Sequence, residues 1–138
     1  MRDVYLVGAG QTPFGSFPER SYRDLFAEAY QNARKSVDNP PDPEDIDEAV
    51  VGSLGVGGRQ LGLSGPAVTE HVGLHNVTCS RIENACAAGG FAVRQAVQAV
   101  KSGMADVVVA GGYEVMTDMS SDATKYWLGV SGETEWER

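Results

Sequence analysis

Residues 83–103 read ENACAAGGFAVRQAVQAVKSG, and this stretch says the most about the fold. From Ala87 onward the run favours a helix that ends at Gly103, because glycine readily adopts the left-handed conformation that closes a helix. Small or apolar side chains lie on nearly every side of this helix. The polar residues that interrupt them are Arg94, Gln95, Gln98 and Lys101. A helix that is apolar nearly all round packs among other elements, so we predict a buried helix over about residues 86–102.

Short apolar runs on either side of this helix predict β-strands. The runs lie near residues 3–8, 48–53, 77–83 and 106–111. Strands that alternate with helices predict an α/β fold with a mainly parallel sheet and helices on both faces. The last run is apolar without alternation, which is typical of a strand buried on both faces.

The remaining helices are predicted from their first residues. Ser21 and Asp24 have the spacing of a capping box, in which side chain and backbone hydrogen-bond each other at a helix start. The helix behind them would bury Phe26, Ala29, Tyr30 and Ala33. A second helix is predicted from Gly65 toward Leu74, since proline follows that glycine and suits a first helical turn. Beyond Tyr113 the apolar periodicity is lost.

The amino-acid composition argues against some classes of binding partner. The chain of 138 residues has 19 acidic and 11 basic residues and a net charge of -8, which argues against nucleic acid or an anionic membrane. No apolar run approaches the ~20 residues of a membrane span, and no secretory signal is visible. Two cysteines, Cys79 and Cys86, are too few for a disulfide scaffold. They indicate reduced thiols and a cytoplasmic location.

Three other patterns give weaker signals. Gly8 and Gly10 follow a predicted strand, but the third glycine of a dinucleotide fingerprint is missing, so a nucleotide site is disfavoured. Residues 55–58, GVGG, lack the ending of a phosphate-binding loop and are better interpreted as a mobile surface loop. His71 and His75 have the spacing of helical zinc ligands, but no third ligand accompanies them. We therefore predict no metal site.

Cys86 is the strongest candidate for chemistry. If Asn84 caps the third helix, Cys86 lies in its first turn, where backbone N–H groups have no intrahelical partner. The helix dipole there favours a thiolate, and the free N–H groups can stabilise an oxyanion on a thioester. The alternative from the residues alone is a small cysteine that only packs.

Residues 83–90, ENACAAGG, resemble the nucleophile motif of thiolases, Asn-x-Cys-Ala-small-Gly at a strand-to-helix turn. Residues 12–15, TPFG, resemble the loop after the first strand in that family. Residues 108–116, VVAGGYEVM, are similar to its segment after the fourth strand. The resemblance covers essentially the whole chain and is closest to the N-terminal portion of archaeal and sterol-carrier-type thiolases.

The resemblance implies that the chain is the N-terminal half of a thiolase fold, the half that carries the nucleophile. It implies that residues 1–112 are the N-terminal α/β domain without its last strand, and that residues 113–138 begin the loop domain. Cys86 would be the catalytic residue and would carry the acyl group as an S-acyl enzyme. The reaction would be Claisen condensation or thiolytic cleavage in lipid metabolism, with coenzyme A thioesters as substrates and no further cofactor.

The resemblance also implies partners. The histidines and second cysteine of the family are not in this sequence, so the missing C-terminal half or a partner chain would supply them, and the 138-residue chain alone would be inactive. Strand 77–83 would pair with its copy in a homodimer or a larger oligomer. The alternatives are a condensing enzyme similar to hydroxymethylglutaryl-CoA synthase or ketoacyl synthase, and a non-catalytic thiolase-like interaction subunit.

Overall fold

The computed structural model describes residues 2–132 and residue 135. In that part of the chain, helices and strands alternate, which confirms the predicted α/β class. The elements in chain order are α1 (Tyr22–Lys35), β1 (Glu48–Gly52), α2 (Ser64–His71), β2 (Thr78–Ile82), α3 (Ala88–Ser102), β3 (Val108–Gly112) and α4 (Ser121–Val130). Short 3-10 turns cover Pro43–Asp45 and Ala85–Ala87. The end of the segment predicted as 113–138 lies partly outside the described residues.

The three strands form one parallel sheet in the order β2–β1–β3. β1 is the central strand, and Val50 and Val51 on it are fully buried. Side chains alternate between the two faces of a strand. Val51 therefore faces α1 and α2, where it joins the core with Phe26 and Val68, whereas Gly52 faces α3. Helices on both faces of a parallel sheet are confirmed.

The capping box at the start of α1 is confirmed. The backbone N–H of Asp24 donates to Ser21 Oγ at 3.3 Å, and the backbone N–H of Ser21 donates to Asp24 Oδ2 at 2.8 Å. Phe26 and Tyr30 are the buried residues of the helix. The other two residues predicted to be buried on this helix, Ala29 and Ala33, are only partly buried.

The predicted strand over residues 3–8 is wrong, because this segment has no regular structure. Tyr5 and Leu6 are 77% and 87% exposed. The segment pairs with neither of the two edge strands of the described sheet, β2 and β3. The segment instead runs against α1, where a Cβ on Gly10 would come within 2.5 Å of the Ala29 carbonyl oxygen. The glycine there permits close packing on a helix, so the Gly8-Ala9-Gly10 pattern has a structural explanation.

α3 and β3 are each buried on one side only. The sequence had predicted that α3 would be buried nearly all round and that β3 would be buried on both faces. Alanines at helical spacing form the face of α3 that packs on the sheet, namely Ala88, Ala92, Ala96 and Ala99. On the two flanks of this face, Phe91 is 42% and Val93 is 55% exposed. β3 is an edge strand of the described sheet, and Ala110 on it is exposed. Within residues 2–132 the sheet covers one face of α3 and nothing covers the other.

The helix α4 was not predicted, because it buries no apolar stripe that the sequence could show. It begins after Ser120, whose side chain accepts the backbone N–H of Ala123 at 3.2 Å. Trp127 on this helix lies against Gly58 in the loop after β1. None of the helices in the described part of the chain is long and apolar enough to cross a membrane.

Candidate functional site

Cys86 lies in the 3-10 turn between β2 and α3, and its side chain is exposed. The predicted cap by Asn84 is wrong, since its side chain makes no capping hydrogen bond and α3 begins only at Ala88. The Glu83 carboxylate takes the capping role instead, because it accepts the backbone N–H of Ala85 at 2.6 Å. Cys86 therefore lies two residues before α3 rather than within its first turn.

The residue before the cysteine has a strained backbone. Ala85 has a φ of 44°, the left-handed region that residues with a side chain avoid. That conformation costs roughly 1–2 kcal/mol, and such strain is often retained at functional sites. The turn bends the chain sharply between β2 and α3, and this bend presents the Cys86 thiol to solvent.

The start of α3 is open toward the space around Cys86. No side chain caps this helix, whereas the N–H groups of Ala87 and Ala88 donate to the carbonyl oxygens of Asn84 and Ala85 in the preceding turn. A Cβ built on Gly89 or on Gly90 would meet nothing within 4 Å. The positive end of a helix dipole stabilises negative charge. The arrangement therefore combines an exposed thiol, a helix N-terminus without a side-chain cap, and room for a substrate carbonyl.

The backbone beneath this turn is tightly packed. A Cβ on Gly52, the last residue of β1, would come within 2.8 Å of the Ala88 carbonyl oxygen and of the Gly89 nitrogen. Gly112, the last residue of β3, would bring a Cβ within 2.7 Å of the Gly52 carbonyl oxygen. Glycine at the ends of β1 and β3 thus lets the start of α3 lie directly on the sheet.

The loop after β1 differs from the mobile surface loop that was predicted. Val56 is 1% exposed and Gln60 is 3% exposed, so the loop is packed into the molecule. Glu114, which follows β3, accepts backbone N–H groups of this loop. Gln60 holds the same loop from the other side, since its Nε2 donates to the Val56 carbonyl at 2.7 Å and its Oε1 accepts the Val115 N–H at 2.8 Å. The bonds to Glu114 and Val115 connect residues 55 to 60 positions apart, a separation at which no local pattern could reveal them.

Cys79 has a different environment from Cys86. It lies on β2 and faces α2, where its Sγ would be 3.2 Å from a Cβ on Gly65. Burial raises the pKa of the Cys79 thiol. Both cysteines are free. An open pocket of about 280 Å³ lies beside Cys79 and is lined in part by Thr69 and His75. Cys79 is therefore the poorer candidate for a nucleophile, and Cys86 stays the candidate site residue.

The two histidines and Cys86 belong to opposite faces of the sheet. His71 ends α2 and His75 lies between α2 and β2, on the face where Val51 meets Val68. Cys86 precedes α3, which packs on the other face against Gly52. His71 Nε2 is 3.3 Å from Asp24 Oδ1, a polar contact between α2 and α1. No group of three metal-ligating side chains is found among residues 2–132 and 135.

Comparison with known proteins identifies the family. Residues 4–134 match the family described as thiolase, N-terminal domain. The chain belongs to the thiolase family.

This thiolase domain has archaeal relatives named acetyl-CoA acetyltransferase. It is 44% identical over 140 residues to the one from Methanocaldococcus jannaschii, a match covering 99% of this chain and 34% of the relative. It is 36% identical over 139 residues to the one from Methanothermobacter thermautotrophicus, covering 99% of this chain and 35% of the relative. The chain therefore spans about a third of the length of these relatives.

A solved structure supports the fold of the thiolase domain. The crystal structure of 3-oxoacyl-[acyl-carrier-protein] synthase III from Aquifex aeolicus VF5 superposes with a TM-score of 0.53 at 20% identity. The superposition covers 62% of this chain and 27% of that one. At this identity the likeness concerns the fold alone.

Proposed function

We propose that this thiolase domain carries the nucleophile of an acyl-CoA:acetyl-CoA C-acyltransferase, and that Cys86 is that nucleophile. The single observation that supports this most is the exposed thiol of Cys86 at the turn before an uncapped helix, in a chain of the thiolase family. A helix start of this kind stabilises both a thiolate and a carbonyl oxyanion.

In the first step, the Cys86 thiolate attacks the carbonyl carbon of an acyl-CoA. The carbonyl becomes an oxyanion, which the N–H groups at the start of α3 stabilise. The bond between that carbon and the coenzyme A sulfur then breaks, coenzyme A takes up a proton, and the acyl group remains on Cys86 as a thioester.

In the second step, a base removes a proton from the α-carbon of acetyl-CoA. The resulting carbanion attacks the acyl group on Cys86, a carbon–carbon bond forms, and the Cys86 thiolate leaves. The product is a 3-ketoacyl-CoA, and the reverse sequence is thiolytic cleavage. A thioester intermediate suits this exchange, because it stays activated toward a carbon nucleophile.

A further segment or partner chain supplies the acid–base groups in this proposal. His71 and His75 lie on α2 and in the turn after it, on the face of the sheet opposite to α3, so neither is placed to deprotonate Cys86. The rest of the enzyme would pack on the side of α3 that the sheet leaves open, where Phe91 and Val93 are exposed at the two flanks. The 138-residue chain alone would then have no turnover, and residues 113–132 would belong to the loop domain that begins after the sheet.

We also propose that two copies associate through β2. This strand hydrogen-bonds only to β1 among the described residues, so its other edge offers unpaired backbone groups. Sedimentation should give a dimer or larger species, whereas a stable monomer of 14.7 kDa would contradict the association. The free thiols of Cys79 and Cys86 support a reducing, cytoplasmic location, which fractionation of cells would test.

The experiment that tests the activity is an assay for acetoacetyl-CoA cleavage by the completed enzyme, with Cys86→Ala as the variant. The proposal expects the variant to lose essentially all turnover while its circular dichroism is unchanged. Full turnover in Cys86→Ala would contradict the proposal and would favour a non-catalytic interaction subunit.

A further inference from the structure

Glu114 is a carboxylate held entirely by backbone donors of one loop. Its Oε2 accepts the N–H of Leu54 at 2.8 Å and of Gly55 at 3.3 Å, and its Oε1 accepts the N–H of Val56 at 2.8 Å. Among residues 2–132 and 135, no ion pair involves this carboxylate. Three consecutive N–H groups converge on one side chain, and these charge-assisted hydrogen bonds are stronger than neutral ones.

The loop that Glu114 holds is one that would otherwise have many conformations. Gly55, Gly57 and Gly58 all have φ near +80°, a region that glycine enters without strain. Glycine also loses more conformational freedom on folding than any other residue. The three hydrogen bonds to Glu114 therefore select one conformation of a segment that has little intrinsic preference.

The loop after β1 is linked to the start of α3 by backbone contacts. The loop leaves β1 at Gly52, whose carbonyl oxygen accepts the N–H of Tyr113 at 3.2 Å, one residue before Glu114. Gly52 in turn contacts the peptide between Ala88 and Gly89, the first peptide of α3. The contacts thus run from Glu114 and Tyr113 through the end of β1 to the helix start next to Cys86.

We propose that Glu114 is a positioning residue for Cys86, and this proposal rests on the function proposed above. Glu114 does not touch substrate. It fixes the end of β1 and the loop after it, and through them the backbone that aims the oxyanion donors of α3 at the carbonyl attacked by Cys86. Small displacements of such donors reduce rates strongly, because the donors act only when they point at the developing charge.

Glu114→Gln tests this with almost no change of volume. The amide group of glutamine turns an N–H donor toward the loop, where only acceptors are wanted, so at least one of the three hydrogen bonds is lost. Asp47→Asn is the matched control. It makes the same carboxylate-to-amide change at a side chain that accepts the backbone N–H groups of Asp106 at 2.7 Å and Val107 at 3.0 Å, before β1 and β3 begin, and it leaves the contacts of Glu114 in place.

The measurement is rapid-quench transfer of labelled acetyl from acetyl-CoA to Cys86 in the completed enzyme, with stability followed by urea unfolding. We expect Glu114→Gln to slow acylation by about tenfold or more, equivalent to ~1.4 kcal/mol of activation free energy, with KM nearly unchanged. We expect Asp47→Asn to reduce acylation by less than about threefold, because the start of α3 keeps its alignment.

Glu114→Asp keeps the charge but shortens the side chain, and it carries the test if the glutamine variant does not fold. A partial loss of acylation in Glu114→Asp would support the proposal. Equal losses of acylation in the Glu114 and Asp47 variants, or acylation at the wild-type rate in Glu114→Gln, would overturn it while leaving Cys86 as the nucleophile. Absence of label on Cys86 in the wild-type enzyme would overturn the proposed function and this inference together.

Discussion

Gly52 and Ala88 are in direct backbone contact, since a Cβ on Gly52 would lie 2.7 Å from the Ala88 carbonyl carbon. This contact sets the distance between the start of α3 and the sheet. Any side chain at the end of β1 would push the start of the helix away and would move the turn that carries Cys86.

We therefore expect Gly52→Ala to destabilise the protein by about 1–3 kcal/mol, the usual cost of overpacking a closely packed site. The same change should slow alkylation of Cys86, which urea unfolding and a timed iodoacetamide reaction would measure. Gly129→Ala on α4 is the control, because a Cβ there meets nothing within 4 Å. A Gly52→Ala protein with unchanged stability would show that the contact is looser than described.

The two cysteines should differ in reactivity. Cys86 is exposed, whereas Cys79 is partly buried and its burial raises the pKa of its thiol. Since the thiolate is the reacting species, we expect iodoacetamide at pH 8 to modify Cys86 at least about tenfold faster than Cys79. Peptide mapping after short reaction times gives both rates, and Cys86→Ala should leave only the slow reaction. Faster modification of Cys79 would contradict the environments described for the two thiols.

The capping box of α1 should make stability depend on pH. The pKa of the Asp24 carboxyl lies below its ordinary value of 3.8, chiefly because the Ser21 hydroxyl and backbone N–H donate to it. A carboxyl with a lowered folded pKa stabilises the protein above its unfolded pKa, and this contribution is lost as the pH falls through the folded pKa.

We expect Asp24→Asn to lower the free energy of unfolding by about 0.5–2 kcal/mol at pH 7, the usual range for loss of a helix cap. The difference from wild type should shrink as the pH falls below 3.8, the ordinary pKa. Urea unfolding at pH 7 and pH 3 measures both. Asp122→Asn is the control, since that side chain is 96% exposed. A difference that grows in acid would contradict the sign of the Asp24 pKa shift.

Much of the fold could be predicted from local patterns. The capping box of Ser21 and Asp24, the left-handed Gly103 at the end of α3, and three of the four predicted strands depend on neighbouring residues alone. The prediction of a strand over residues 3–8 is wrong although their composition is that of a strand. The segment packs against α1 through Gly8 and Gly10, a tertiary contact that local composition does not reveal.

The site could be predicted less completely. The motif around Cys86 located the thiol and its turn, but the capping residue is Glu83 rather than Asn84. The left-handed backbone of Ala85 could not be predicted from the sequence, because alanine does not mark positions of positive φ as glycine does. Glu114 lies in a segment whose sequence resembles the thiolase family. Its hydrogen bonds to the loop after β1 join residues far apart in the sequence, so the sequence pattern could not predict them.

The account depends most on Cys86 as the acyl-accepting thiol, and Cys79, seven residues earlier, is its internal control. A short pulse of labelled acetyl-CoA on the completed enzyme, followed by peptide mass mapping, tests this directly. The account predicts label on the peptide that contains Cys86 and none on Cys79, with no label in Cys86→Ala. Label on Cys79, or labelling that persists in Cys86→Ala, would contradict it.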